Sequence, residues 1–338
     1  MKAYPLRGIS QIKYEDMPYP ECPPGWCIVK VRAAGICSSD IPRIFSKGTY
    51  HFPTIPGHEF SGVVDKVADE VNNPLIGKKV SVFPLIPCQQ CEQCRQQKYE
   101  LCSHYDYIGS RRDGAFAEFV AVPVWNLVEL SENTPYEEAA LMEPLAVSLH
   151  AVKRLNINET DHIAIFGSGM IAFAAAQWAI KFGAKKVTVI GRSESKRSIA
   201  EAMSEINYAI SENVNDEFDG VIEAVGSQQS INQSINITKP EGRIVLMGNP
   251  EGAISFSQET YWKILRKQLF VTGTWNSSYE KKRPCDWAEV RDALENHSLQ
   301  AASLISHRFS QDLLMDALIM MHEHKVPYCK VMTIWNGD

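Results

Sequence analysis

His162-Ile163-Ala164-Ile165-Phe166-Gly167-Ser168-Gly169-Met170-Ile171-Ala172 decides the fold of the second half of this chain. The first five residues read as a short buried strand. A Gly-x-Gly-x-x-Ala turn follows directly, and an apolar helical pattern then runs from Met170 to Phe182, where Gly183 closes it. The first glycine permits a tight turn, the second lets backbone approach a pyrophosphate, and Ala172 is small enough for helix–sheet contact. A helix that starts there offers free N–H groups and the positive end of its dipole to phosphates. Glycines are common in turns, so the hexapeptide alone says little. Its setting, strand-turn-helix-strand, makes it a dinucleotide cradle of Gly167, Ser168, Gly169, Met170 and Ile171.

Strands recur downstream at 185–190, 220–224, 243–247 and 269–273, with helical stretches between most of them. This alternation predicts an α/β domain over 150–276, with a doubly wound parallel sheet. Met247 ends one later strand, Gly248 follows it and Thr274 follows another, and all three join the cofactor-binding candidates. The second strand ends in Val189-Ile190-Gly191-Arg192-Ser193. An acid that holds the ribose 2′-hydroxyl is expected there, about 20 residues past the glycines. Gly191 occupies the position instead. Arg192, Ser193 and Arg197 suit a 2′-phosphate, which predicts NADP(H) in preference to NAD(H). The alternative is that both arginines are solvated surface charges.

The first ~150 residues have a different character, rich in Gly, Pro and short β-type runs at 28–31, 62–64, 79–83 and 116–122. A helical pattern runs from about Pro135 towards Leu155, helices return after about 276, and a last strand is expected near Lys330 to Trp335. Residues 1–149 and 277–338 thus form a second, β-rich domain.

The 338 residues suit two domains. Acids outnumber bases 40 to 34, which argues against a general nucleic-acid binder. No apolar run approaches the roughly 18 residues of a membrane span, and the start Met1-Lys2-Ala3-Tyr4-Pro5-Leu6 carries no apolar signal core. A cytoplasmic chain is expected, and its nine cysteines are not read as a disulfide framework.

Four cysteines are clustered as Cys88-x2-Cys91-x2-Cys94-x7-Cys102. Thiolates so spaced can close a tetrahedral zinc site with no open position, which makes it structural; an iron–sulfur cluster is the rival. It would pin a lobe over 84–104. A second set is dispersed: Cys37 with Ser39 and Asp40, His58 with Glu59, and Glu143 before Pro144. A Cys, a His and carboxylates can bind one zinc and leave room for water or substrate, with Asp40 accepting a bond from the other nitrogen of His58. Taken singly, Cys37 reads better as a buried thiol and His58 as a satisfied loop histidine.

Gly57-His58-Glu59, the four-cysteine lobe, Asp113-Gly114-Ala115-Phe116-Ala117-Glu118-Phe119, Glu143-Pro144 and the glycines at 167 and 169 occur in an order that resembles the zinc-dependent medium-chain dehydrogenases over essentially the whole chain. The polyol branch is nearest. Segments 39–45, 84–88, 107–114 and 264–275 are similar to its galactitol-phosphate dehydrogenase group. The resemblance implies a GroES-like catalytic domain from both ends of the chain and a Rossmann domain between them. It implies two zinc ions per chain, with Cys37, His58 and Glu59 as catalytic ligands and Glu143 bound directly or through water. Ser39 matches the hydroxyl that takes the substrate proton. Dimers or tetramers are usual in the family.

Two departures stand out. Many relatives have a histidine five residues after the catalytic cysteine, ending a proton relay; here it is Pro42. Proton exit then falls to water or to Glu59 or Glu143. The other departure is Gly191-Arg192 in place of the acid, which favours a reductase role. The expected reaction joins a secondary alcohol of a sugar alcohol or polyol phosphate to its ketose, with zinc as Lewis acid and nicotinamide C4 as hydride partner. Arg43, Arg111 and Arg112 are candidates for a substrate phosphate, unless Arg112 pairs with Asp113 or Glu118 and Arg43 anchors a loop. Alternatives are a ribulose-5-phosphate-type reductase, a free-polyol, L-threonine or simple alcohol dehydrogenase, a zinc-free quinone or enone reductase, a purely structural zinc module and a non-catalytic nucleotide sensor.

Overall fold

The computed structural model describes residues 1–68, 73–203, 205–281 and 283–336. It divides into two compact units, Met1–Glu143 with the chain from Ser278 on, and Pro144–Ser277. The division falls inside the helix Met142–Leu155. No described helix is long and apolar enough to cross a membrane.

The first unit is organised by one strand, Trp26–Ile36, whose side chains are mostly buried. Glu59–Val67 pairs antiparallel along one side of it. On the other side Phe119–Pro123 covers its first half and Lys330–Ile334 its second half, both antiparallel. Lys79–Val82, Leu127–Glu129 and Ile305–Ser310 complete the sheet. Val29, Val31, Phe60, Val64, Val80, Phe116, Val120 and Val331 fill its core. The apolar alternation that forms these strands also places the metal-ligand candidates, because Cys37 follows one strand and Glu59 begins its neighbour.

Between them, Pro56-Gly57-His58 is clasped by Asp113-Gly114-Ala115-Phe116. Ala115 N donates to Gly57 O (2.9 Å), Phe116 N to Pro56 O (2.9 Å) and Gly114 N to Ile55 O (2.7 Å). Asp113 Oδ1 accepts from Ile55 N (2.8 Å). Gly57 has φ +96°, and a Cβ there would lie 2.6 Å from Phe116 Cδ1.

The second unit holds a six-stranded parallel sheet in the order Ile206–Ile210, Lys186–Gly191, His162–Phe166, Phe218–Glu223, Thr238–Leu246, Phe270–Gly273. This is the doubly wound order that reverses beside the first strand. Five of the six strands match the sequence reading. The edge strand Ile206–Ile210 does not, because Asn207 and Tyr208 interrupt its apolar pattern and it is only partly buried. The helix Met170–Lys181 is apolar nearly all round and accordingly buried along most of its length. The 135–155 pattern resolves into two helices, Tyr136–Ala139 and Met142–Leu155. Pro144 sits in the first turn of the second, where a missing N–H costs nothing.

Gly57→Ala should lower stability by about 1–3 kcal/mol, since it adds both backbone strain and a clash. Gly77 also has positive φ (+83°) but open space around it, so Gly77→Ala isolates the backbone part. Denaturant melts of the two variants should differ clearly; equal losses would mean that the clasp yields to the added methyl.

Candidate metal centres and nucleotide cradle

Cys37, His58 and Glu59 offer ligand atoms that all lie within 4.8 Å of one another. His58 is buried, and its Nδ1 has no hydrogen-bond partner. A buried imidazole beside a thiol and a carboxylate fits a divalent metal of borderline softness, and the partnerless Nδ1 is the nitrogen that faces Asp40. Asp40 is fully buried and reaches His58 Nδ1 only at 3.6 Å, beyond hydrogen-bond range, so the expected bond between them is not formed. Asp40 instead accepts from Cys37 N (3.1 Å) and from Arg43 Nη1 (2.6 Å). Burial alone would raise the Asp40 carboxyl, yet His58 and Arg43 hold it below its usual value. Arg43 is therefore the buried carboxylate's counter-ion. Ser39 is exposed, and its hydroxyl donates to Cys37 Sγ (3.3 Å).

Glu59 is held by Lys330, a buried lysine from the strand Lys330–Ile334, which donates to Glu59 Oε2 (2.5 Å) and to Ile36 O (3.2 Å). Glu143 lies outside the three-ligand group. Its Oε1 accepts from Tyr107 Oη (3.3 Å), and burial pushes its carboxyl up to about 7, with the Glu59 charge adding and His58 and Lys330 opposing. The Tyr107 ring packs edgewise on His58 (5.7 Å between centroids). Sequence reasoning missed both Tyr107 and Lys330. Tyr107 stands in the quoted 107–114 segment, but nothing in the spacing says that its hydroxyl meets Glu143. Lys330 looks like an ordinary strand lysine until the sheet register is known.

Cys88, Cys91, Cys94 and Cys102 also converge, with Cys88–Cys94 and Cys91–Cys102 sulfur separations of 3.9 Å. A tetrahedron of thiolates around zinc, with bonds of ~2.3 Å, has edges of roughly 3.8 Å. The backbone N–H groups of Cys94 and Ser103 hold the Cys91 thiol down to about 5, whereas burial pushes Cys94 up. Four ligands close this set, while the Cys37 set leaves room for another.

In the second unit Gly167 has φ +109° and donates to Ile190 O (2.9 Å). Gly169 caps the helix Met170–Lys181 with no side-chain bond to its first N–H groups, and a Cβ at 169 would meet nothing within 4 Å. That open backbone fits a pyrophosphate. Met170 is buried, so its part in the cradle is main-chain, and Ile171 is half-buried. Buried Glu223 accepts from Val225 N and Gly226 N (both 2.9 Å), and its carbonyl receives Met247 N and Gly248 N, which ties two strand-end loops together. Thr274 Oγ1 is buried without a partner. Arg192 and Ser193 are exposed, whereas Arg197 is engaged by Glu194 and donates to Tyr208 O (3.1 Å).

Arg111 and Arg112 line an open hollow of about 630 Å³ to which none of Cys37, His58, Glu59 or Glu143 contributes. Arg112 pairs with Asp106 rather than Asp113, which holds Ile55 N, or Glu118, which accepts Lys2 N (2.7 Å). Arg111 is stacked between Tyr50 and Tyr105 and has no carboxylate partner among the described residues.

Residues 23–132 match the alcohol dehydrogenase GroES-like domain family and 171–296 the zinc-binding dehydrogenase family. The chain is 33% identical over 310 residues to galactitol 1-phosphate 5-dehydrogenase of Escherichia coli K12, covering 88% of this chain and 90% of the relative. It is 32% identical over 275 residues to D-xylulose reductase A of Aspergillus oryzae, covering 75% and 77%. The crystal structure of galactitol-1-phosphate dehydrogenase from Escherichia coli superposes with a TM-score of 0.91 at 32% identity, over 99% of this chain and 100% of that one.

Metal analysis of the purified protein should find two zinc ions per chain. Cys37→Ser should lose about one of them with an unchanged melting temperature. Cys91→Ser should lose the other and melt lower, since a closed thiolate site contributes folding energy. One zinc or none in the wild type would remove the two-site assignment.

Proposed function

This chain belongs to the zinc-binding alcohol dehydrogenase family, and we propose that within it the protein interconverts a secondary alcohol of a polyol phosphate and the matching ketose phosphate, with NADP(H) preferred. The observation that carries the reaction is the exposed Ser39 hydroxyl hydrogen-bonded to Cys37 beside the open Cys37–His58–Glu59 set. Bound at these residues, zinc supplies a Lewis acid for the alcohol oxygen and the nicotinamide a hydride partner. Cys37, His58 and Glu59 hold the metal, and Lys330 balances the Glu59 charge. Ser39 takes the alcohol proton and passes it to water, because Pro42 provides no group to continue a relay. Glu143 shares that proton, a role supported by its raised carboxyl and its bond from Tyr107.

The phosphate is supported by the name of the galactitol 1-phosphate relative; among the described residues Arg111 is the candidate arginine without a carboxylate partner, but it lines a hollow apart from the metal-ligand candidates. The cofactor preference is supported by Gly191 in place of the acid and by exposed Arg192. A charge-assisted contact to a 2′-phosphate is worth about 1.5–3 kcal/mol, or roughly 10- to 100-fold in affinity. Steady-state kinetics on hexitols and pentitols and their phosphate esters, with both cofactors, test this reading. The ester and NADP should have the higher kcat/KM, and Arg111→Ala should erase most of the ester's advantage while sparing the free polyol. Equal kcat/KM for ester and polyol would return the protein to the free-polyol dehydrogenases.

A homo-oligomer is also proposed, on the strand Phe270–Gly273. It is the edge of its sheet, Phe270 is 66% exposed, and Val271, Leu265, Trp262, Tyr261 and Trp275 are exposed as well. An unpaired edge with so much apolar surface is a template for a second chain. Light scattering should show a dimer or tetramer, and Phe270→Glu with Val271→Lys should shift it towards monomer. A monomeric wild type would remove the assignment.

A further inference from the structure

Gly191 is the position at which an acid would meet an unmodified ribose, and the structure shows what fills that space. The ring of Tyr208, from the neighbouring edge strand, lies over Gly191. A Cβ at 191 would sit 2.5 Å from Tyr208 Cζ and closer still to its hydroxyl. The parallel register sets Tyr208 opposite Val189 and Ile210 opposite Gly191, so the tyrosine starts one pleat back and reaches forward. Its hydroxyl donates to Ser193 O (2.7 Å). The Ser168 hydroxyl of the glycine turn partly offsets the upward push of burial on the phenol's pKa. The Arg197 guanidinium covers the ring at 5.2 Å from its centroid and is itself fixed by Glu194.

We infer that Tyr208 determines cofactor specificity, by occupying the volume an acid at 191 would need and by bracing the 192–193 turn towards a 2′-phosphorylated dinucleotide. The inference rests on the NADP(H) reading above. Tyr208 has two side-chain torsions, and both are committed. Swinging it aside breaks the bond to Ser193 and uncovers the guanidinium of Arg197. The positive group left at the tip is Arg192, which is exposed and has no partner among the described residues. An acid grafted at 191 therefore collides with the ring before it reaches a ribose, and that single exchange does not convert the cofactor preference. The role is one of positioning and exclusion, without contact with the reacting atoms.

Dissociation constants for NADP+ and NAD+, from quenching of tryptophan fluorescence, test this in wild type, Gly191→Asp, Tyr208→Ala and the double variant. Thermal melts by circular dichroism report folding. Gly191→Asp alone should weaken NADP+ at least about tenfold without tightening NAD+. Adding Tyr208→Ala should tighten NAD+ about tenfold relative to Gly191→Asp, whereas adding Tyr208→Phe, which keeps the ring, should not. Tyr208→Ala by itself should lower the NADP+ over NAD+ preference several-fold by loosening the turn. If Gly191→Asp does not fold but the double variant does, exclusion is supported. If neither folds, the ratio in Tyr208→Ala decides, and an unchanged ratio overturns the inference. Gly191→Asp binding NAD+ as tightly as the double variant also overturns it. A wild type that prefers NAD+ overturns the cofactor reading instead, and the comparison of the single and double variants still judges Tyr208.

Discussion

The carboxylate of Glu59 and the ammonium of Lys330 share a site from which water is excluded, and the placement of the candidate metal-ligand cluster depends on that pair. Two buried charges are tolerable only when each satisfies the other and the remaining bonds are made. Here Ile36 O takes a further Lys330 donor, and the carboxylate lies over Gly35, where any side chain would obstruct it. Gly35 faces Glu59 in one strand and Met332 in another. The absence of a side chain at 35, the acid at 59 and the lysine at 330 are thus one requirement written at three distant places in the chain.

The same economy appears around His58. The Asp113-Gly114-Ala115-Phe116 segment is not among the candidate ligands, yet three backbone bonds and one to the Asp113 carboxylate hold the loop that carries the imidazole. The two cysteine-bearing sets divide on the same physical ground. Four thiols with tetrahedral spacing leave no vertex free, which suits a site that holds a lobe in shape. A thiol, an imidazole and a carboxylate next to an exposed serine leave a vertex for an incoming oxygen.

What could be read in advance was local. The strand-turn-helix at 162–172, the four-cysteine spacing and the missing acid at 191 are each contained within a few residues, so periodicity and residue chemistry reveal them. What could not be read depends on registers between distant strands. Arg112 has acids at 113 and 118 nearby in sequence, but it pairs with Asp106 because the turn at 107–112 folds back on itself. Asp40 is sequentially suited to serve His58, but Arg43 one helical turn later claims it. Tyr208 went unseen because its strand carries Asn and Tyr where a buried strand would carry Val and Ile, and only the pairing with 186–191 shows which glycine it covers.

The middle strand of the first sheet also sets an order of events. Lys330 meets Ile36 across a separation of 294 residues. During synthesis, Trp26–Ile36 emerges long before the strand that completes its second half, and contacts of such range form late. Until Lys330–Ile334 is made, Glu59 has no counter-charge, and the edge beside Gly35 stays open. The intervening parallel-sheet unit can form in the meantime from its own neighbouring segments. Assembly of the candidate ligand cluster therefore waits for the strand Lys330–Ile334, and a nascent chain that stops before 330 carries Cys37 and His58 but lacks the charge that lets the Glu59 carboxylate be buried.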